Sequence, residues 1–289
     1  MFRLRDVLED AQKRQVAVGH FNVGDLATLK AIFASARELN VPVIVGVSEG
    51  ERQFIGDGSI AAIVRSLREE SGVRLFLNAD HVHSLKSAID AVKAGFDALV
   101  FDLSGLPIGE NIQRTKDAVK ELKALNPAIM VEGEIGDIGT GSEIHETAPD
   151  LTKGLTRPEE AKRFVDATGI DMLAPSVGNM HGLLPSMVRG QVKKQLDVDR
   201  IARIKRKTAA LLTLHGGSGT DDDSLRQAVS AGINIVHINT ELRVAWRRGL
   251  EAGLSNKLDE VVPYKILPFA VDAIKEVVMA RLKLLNNLH

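Results

Sequence analysis

Four stretches of the chain carry side chains able to hold a metal or move a proton. "NADHVHS" (78–84) sets Asp80, His81 and His83 directly after the apolar run "VRLFL" (73–77). "GNMHG" (178–182) brings His181, "LHGGSG" (214–219) brings His215 ahead of a glycine-rich turn, and "INIVHINTE" (233–241) brings His237, Asn239 and Thr240. Imidazole nitrogens drawn from separate segments, with water or substrate in the remaining positions, are the donor set of an open catalytic Zn²⁺ site. His81, His181 and His215 stand 100 and 34 residues apart, which matches no local zinc motif, so the metal expectation depends on a fold that gathers them. Asp80, beside a ligand, can exchange a proton with a bound substrate. Its alternative is a helix cap or a partner that orients a ligand. His83 is expected on the loop, facing solvent. The Gly-Gly-Ser-Gly turn presents backbone N–H groups that can cradle a phosphate, although glycines also serve simply to allow a tight turn.

Eight short β-branched runs, each followed by a charged stretch of helical period, supply the elements that would gather these groups. The expected strands are 16–23, 41–48, 74–80, 97–104, 128–136, 171–177, 210–216 and 233–239, with helical patterns over 25–39, 85–94, 109–125, 221–230 and 240–252. Nearly continuous apolar strands suit a parallel sheet covered on both faces. The pattern predicts an α/β fold, a (β/α)₈ TIM barrel with a C-terminal helical extension, in one domain over residues 1–289; the alternative is an open doubly wound sheet. Barrel chemistry sits at the carboxyl ends of the strands, and polar residues fall there. They are His20 and Asn22, Ser48 and Glu49, Asp80 and His81, Asp102 and Ser104, Glu132 and Glu134, then His181, His215, and His237 with Asn239 and Thr240. The Gly/Thr-rich stretch 137–156 is read as a mobile loop at the mouth. Stretch 189–207, with eight basic and two acidic residues, is read as a solvated outer helix, or as a patch that steers anionic substrates.

Composition narrows the partners. The chain has 289 residues, 44% hydrophobic and 26% charged, with a formal net charge of −1, and a pI near 6.7. That balance offers no basic excess for nucleic acid or an anionic membrane. No cysteine is present, which excludes disulfides, thiolate ligands and a cysteine nucleophile. The N-terminal "MFRLRDVLEDAQKRQ" lacks the apolar core of a secretory signal, and no apolar run reaches the roughly 18 residues of a membrane span. A soluble cytoplasmic protein is expected.

The same segments carry a family resemblance. Taken in order, "FNV" (21–23), "VPVIVGVSEG" (41–50), "ADH" (79–81), "FDLSGLPIGENI" (101–112), "VEGEIGDIG" (131–139), "GNMHG" (178–182), "LHGGSG" (214–219) and "INTELR" (238–243) resemble the class II, metal-dependent ketose-bisphosphate aldolases. That group contains the fructose-1,6-bisphosphate and tagatose-1,6-bisphosphate aldolases. The resemblance implies a lyase that reversibly cleaves a ketose phosphate, with fructose 1,6-bisphosphate first in order, into dihydroxyacetone phosphate and an aldehyde. It implies that His81, His181 and His215 hold Zn²⁺, with Glu134 at an alternative metal position and Glu132 and Asp102 nearby. Asp80 would take the C4 hydroxyl proton, and Glu143 in the loop would serve C3. Gly182, Gly216, Gly217, Ser218, Asn239 and Thr240 would hold the phosphate, with a monovalent cation beside it, and Asn22 and Ser48 would line the cleft. Arg281 would reach the other phosphate from a neighbouring subunit of a homodimer or homotetramer.

Three positions depart from the family pattern: His237 stands where Asn is usual, Ile235 where Lys is common, and His20 where a small residue or Gln is frequent. His237 is open to three readings, a neutral hydrogen-bond donor, an additional base, or a structural residue. Two other functions compete with the aldolase: barrel hydrolysis by metal-activated water, with "HVH" in place of the usual His-x-His, and a non-catalytic subunit on an aldolase scaffold.

Overall fold

A computed structural model describes residues 2–139, 141–147 and 150–288. Eight parallel strands pair in sequence order and the eighth closes on the first. They are β1 (Val18–Asn22), β2 (Val43–Ser48), β3 (Leu75–Val82), β4 (Ala98–Phe101), β5 (Met130–Ile135), β6 (Met172–Pro175), β7 (Leu211–Leu214) and β8 (Ile233–Ile238). The closed (β/α)₈ barrel is the expected architecture and not the open sheet. Every expected strand is present, shortened by one to three residues at most of its ends; β3 alone runs two residues further than its pattern.

Helices cover the outside, started and stopped by local chemistry. Side-chain oxygens of Asp25, Ser84, Asp197 and Asp221 accept backbone N–H groups at four helix starts, satisfying donors that the helix itself leaves free. The C-terminal helix Pro268–Leu285 packs against Leu26–Leu39 and Thr240–Asn256 and closes the ring beside β1. Among the described residues no helix is long and apolar enough to cross a membrane.

The barrel interior changes character from floor to mouth. Val18, Ile44, Phe76, Ala98, Met130, Met172, Leu211 and Ile235, one from each strand, form an apolar floor, sealed below by Leu4, Val7, Leu8 and Ala11 of the N-terminal helix Leu4–Lys13. Ile235 therefore lies in the floor, away from any substrate. Side chains two residues further along a strand share its face, so the next layer inward is His20, Gly46, Asn78, Val100, Glu132, Ala174, Thr213 and His237. The polar groups lie above this apolar plug, which fills the barrel with side chains as a packed core.

Candidate active site

β3 contains an irregularity that makes the site. Its pairing with β4 shifts between Ala79 and Val82, and His81 adopts the left-handed conformation, φ +52°. Consecutive residues of a regular strand point to opposite faces; one extra residue in a bulge re-aims them. Asp80 and His81 consequently both face the barrel mouth. A left-handed non-glycine residue costs on the order of 1–2 kcal/mol, strain that the surrounding contacts hold in place.

His81, His181 and His215 form a triangle with ring centroids 4.8, 4.8 and 5.5 Å apart. With Glu134 they place one donor atom each within 4.8 Å of one another. His81 Nε2, His181 Nε2, His215 Nδ1 and Glu134 Oε2 are buried and lack hydrogen-bond partners. His215 Nδ1 does lie 2.9 Å from Glu134 Oε2, close enough for attraction but out of hydrogen-bond alignment. Buried polar atoms are almost always paired, so four orphans converging on one point fit a cation. Carboxylates fix the rings from behind: His81 Nδ1 lies 2.8 Å from Asp102 Oδ2, and His215 Nε2 lies 2.7 Å from Glu132 Oε1, which also accepts from the Thr213 hydroxyl through Oε2 at 2.7 Å. Carboxylates in this position orient a ligating imidazole and select its tautomer. Burial, with His81 and His215 alongside, holds His181 well below the usual imidazole range.

Asp80 is buried beside the triangle and caps no helix; that role falls to Ser84. Asn22 Nδ2 donates to Asp80 Oδ2 at 2.9 Å, and His237 Nδ1 lies 3.4 Å from Asp80 Oδ1. Burial opposes its charge, but His81 and His237 outweigh burial and keep the carboxyl well below the usual range. Asp80 is thus held as a base. His237 is kept neutral by burial and by its neighbours His20 and His215.

The departures at His20 and His237 are one feature. Their rings stack with centroids 3.5 Å apart and planes 4° from parallel. Asn78, for which its sequence position suggests no role, lies with Nδ2 2.9 Å from His20 Nε2. Gly46 makes the room, since a Cβ there would stand 2.0 Å from His20 Cε1. Burial lowers the pKa of His20 to about 4.

The narrow cleft above is lined by Asn22, Asp80, His181 and His237 together with Gly182, Gly216, Ser218, Asn239 and Thr240. Gly216, φ +61°, tolerates no side chain, because a Cβ would meet Met180 O at 2.0 Å. The Ser218 hydroxyl accepts the N–H groups of Asn239 and Glu241 at 3.2 and 3.3 Å, which binds the turn after β7 to the start of helix Thr240–Asn256. Gly217 contributes close packing only: its N–H donates to His237 O at 2.9 Å and is spent.

Other expected residues are placed elsewhere. Ser48 caps helix Glu49–Ile55 in a reciprocal box with Glu51. Arg281 donates to Glu241 through Nε and Nη2 and to Asp222 through Nη1, so three of its five N–H groups are held within its own chain. Glu143 is exposed, and its carbonyl accepts from Leu183 N at 3.0 Å; the loop reaches the cleft through Ser142 instead. Thr140, Ala148 and Pro149 of that loop lie outside the described residues. His83 is exposed as expected. Sequence reasoning missed Arg243 and Glu51, which meet at 2.9 Å beside Asn22, although "SEGE" (48–51) carries the capping-box spacing. It also missed Lys194, buried in the stretch read as a solvated helix, whose Nζ donates to Met180 O, Gly182 O and Gly216 O at 2.8, 2.9 and 3.0 Å.

Fold and site together define a (β/α)₈ barrel whose mouth sets a cluster able to hold a metal beside a buried carboxylate. The chain belongs to the class-II fructose-bisphosphate aldolases, whose family model, "Fructose-bisphosphate aldolase class-II", matches residues 2–289. A fructose-bisphosphate aldolase of Staphylococcus aureus is 32% identical over 283 residues, 97% of this chain and 95% of the relative. The enzyme of the same name from Geobacillus stearothermophilus is 31% identical over the same span. Among solved structures, the YdjI aldolase from Escherichia coli K12 superposes with a TM-score of 0.81 at 27% identity, covering 99% of this chain and 97% of the other. The Campylobacter jejuni fructose-bisphosphate aldolase shares the fold, with a TM-score of 0.81 at 20% identity over 99% of this chain and 94% of the other. The protein is a lyase of a metal-dependent family that cleaves ketose bisphosphates.

Proposed function

We propose that the protein cleaves a ketose phosphate, first of all fructose 1,6-bisphosphate, into dihydroxyacetone phosphate and an aldehyde, and that the metal is Zn²⁺ held by His81, His181 and His215 with Glu134 in reserve. The observation that carries this reading is the convergence of four orphaned buried donors beside a base, Asp80. Imidazole-rich, compact donor sets favour zinc among the available divalent cations. Zn²⁺ bound there supplies Lewis-acid stabilisation of negative charge on the substrate oxygens.

The chain's own residues do the rest. Asp80 takes the C4 hydroxyl proton as the C3–C4 bond breaks and returns it to the aldehyde oxygen in the reverse direction. Asn22 and His237 hold Asp80 in place, and neutral His237 presents a ring nitrogen toward the same space. The turn at Gly216 and Ser218, Gly182, Asn239 and the first turn of helix Thr240–Asn256 hold the phosphate of dihydroxyacetone phosphate, since N–H groups at a helix start attract anions. Glu143 reaches C3 only after its loop moves. The whole chain acts as one domain, in the cytoplasm, as a homodimer or homotetramer.

The commitment of Arg281 favours a second substrate reading, a ketose 1-phosphate whose far end carries no phosphate. Triose phosphate release measured across ketose mono- and bisphosphates tests both. Fastest turnover of fructose 1,6-bisphosphate supports the first reading, and preference for a monophosphate supports the second. Failure to cleave any ketose phosphate refutes both.

A further inference from the structure

Lys194 has a side chain that the proposed chemistry does not use, and it is among the most deeply buried large side chains of the protein. Its backbone is fixed on both sides, the N–H donating to Gly219 O at 2.9 Å and the carbonyl accepting from Asp221 N at 3.0 Å. The stem passes over Gly219, where a Cβ would stand 3.8 Å from Lys194 Cε. The ammonium then meets three backbone carbonyls, of Met180, Gly182 and Gly216, at 2.8, 2.9 and 3.0 Å. Burial lowers its pKa to about 7, with Glu241 opposing the shift; an ammonium has three N–H donors and a neutral amine only two, so the bonds to all three carbonyls are satisfied by the charged form.

Convergent backbone carbonyls are how proteins replace the hydration shell of a potassium-sized cation. Here the carbonyls flank His181 and follow His215, and Gly182 and Gly216 line the cleft where the phosphate is read to bind. A free monovalent cation beside the phosphate does not fit these residues, because the oxygens that would hold it are already taken by Nζ.

We propose that Lys194 is a tethered monovalent cation: its ammonium occupies a carbonyl cage, ties the His181 and His215 loops together, and supplies beneath the phosphate turn the positive charge that a dissolved ion would otherwise bring. Lys194 is a positioning residue, touching no substrate, and its effect on substrate rests on the phosphate reading given above. The enzyme is accordingly indifferent to potassium, sodium and ammonium.

The test uses the full-length metal-loaded protein in choline, sodium, potassium or ammonium chloride at one ionic strength. For the wild type, the Kd of inorganic phosphate and the KM of the cleaved ketose phosphate stay within about twofold across the four salts. In Lys194→Met and Lys194→Ala, in choline and with metal content unchanged, both constants rise roughly tenfold, equivalent to about 1.4 kcal/mol, while kcat changes less. Ammonium or potassium restores them in Lys194→Ala and raises its melting temperature. Severalfold activation of the wild type by potassium or sodium overturns the proposal, and this arm needs no variant to fold. Variants that bind phosphate like the wild type in choline, or whose loss no monovalent cation repairs, overturn it as well. Absence of phosphate binding by the wild type refutes the phosphate reading, while the melting response of Lys194→Ala to ammonium still decides whether the cage takes a cation.

Discussion

Protonation of His20 destabilises this protein below neutral pH, by an amount that the buried stack fixes. The ring is enclosed between the Asn78 amide and the His237 ring, and burial lowers its pKa to about 4, against about 6.5 in an unfolded chain. A histidine whose folded pKa is depressed binds its proton more readily when unfolded. Its contribution is therefore intact above pH 6.5 and is lost as pH falls from 6.5 toward 4. At ~1.4 kcal/mol per pH unit the full loss is ~3 kcal/mol, of which ~1.3 kcal/mol falls between pH 7.5 and 5.5. The assay is urea unfolding of the wild type and His20→Asn, both stripped by a chelator, at those two pH values. Replacing the ring leaves a gap in packing, so the variant is the less stable at pH 7.5. The stability difference then narrows by ~1.3 kcal/mol at pH 5.5, because burial, the largest cause, keeps His237 neutral in both proteins and the histidines remote from His20 titrate alike in both. A difference that stays constant or widens refutes the assignment of a neutral, buried His20.

Three further outcomes follow from the same geometry. Gly46→Ala places a Cβ 2.0 Å from His20 Cε1, and overpacking of this kind lowers stability by ~1–3 kcal/mol, read as a lower urea midpoint. Glu132→Gln loosens the His215 ring, and metal affinity falls ~10–100-fold in a competition titration against a chelator. Asp80→Asn keeps its metal but lowers kcat by ~10²–10⁴; undiminished turnover would remove Asp80 from the proton transfer.

The barrel was legible because each strand is a short β-branched run bounded by turn residues, and because polar side chains recur at one end of each run. That pattern also exposed His81, His181, His215 and Asp80. What linear pattern does not carry is geometry that departs from the strand period. The bulge at Asp80–His81 turns two neighbours to one side, and no spacing rule foretells it. Lys194 was hidden for a different reason. It sits among basic residues that are mostly exposed, and only the meeting of two separate loops creates the carbonyls that make its burial tolerable. Arg281 shows the converse: position along the sequence suggests a phosphate contact, but Glu241 and Asp222 of the same chain reach it first.

The most direct measurement is triose phosphate release, from whichever ketose phosphate the protein cleaves fastest, before chelation, after removal of all bound metal, and after addition of one equivalent of Zn²⁺ per chain. Release that disappears with the metal and returns with Zn²⁺ is the predicted result. Release undiminished in metal-free protein would contradict the central claim that His81, His181 and His215 form the metal centre of an aldolase.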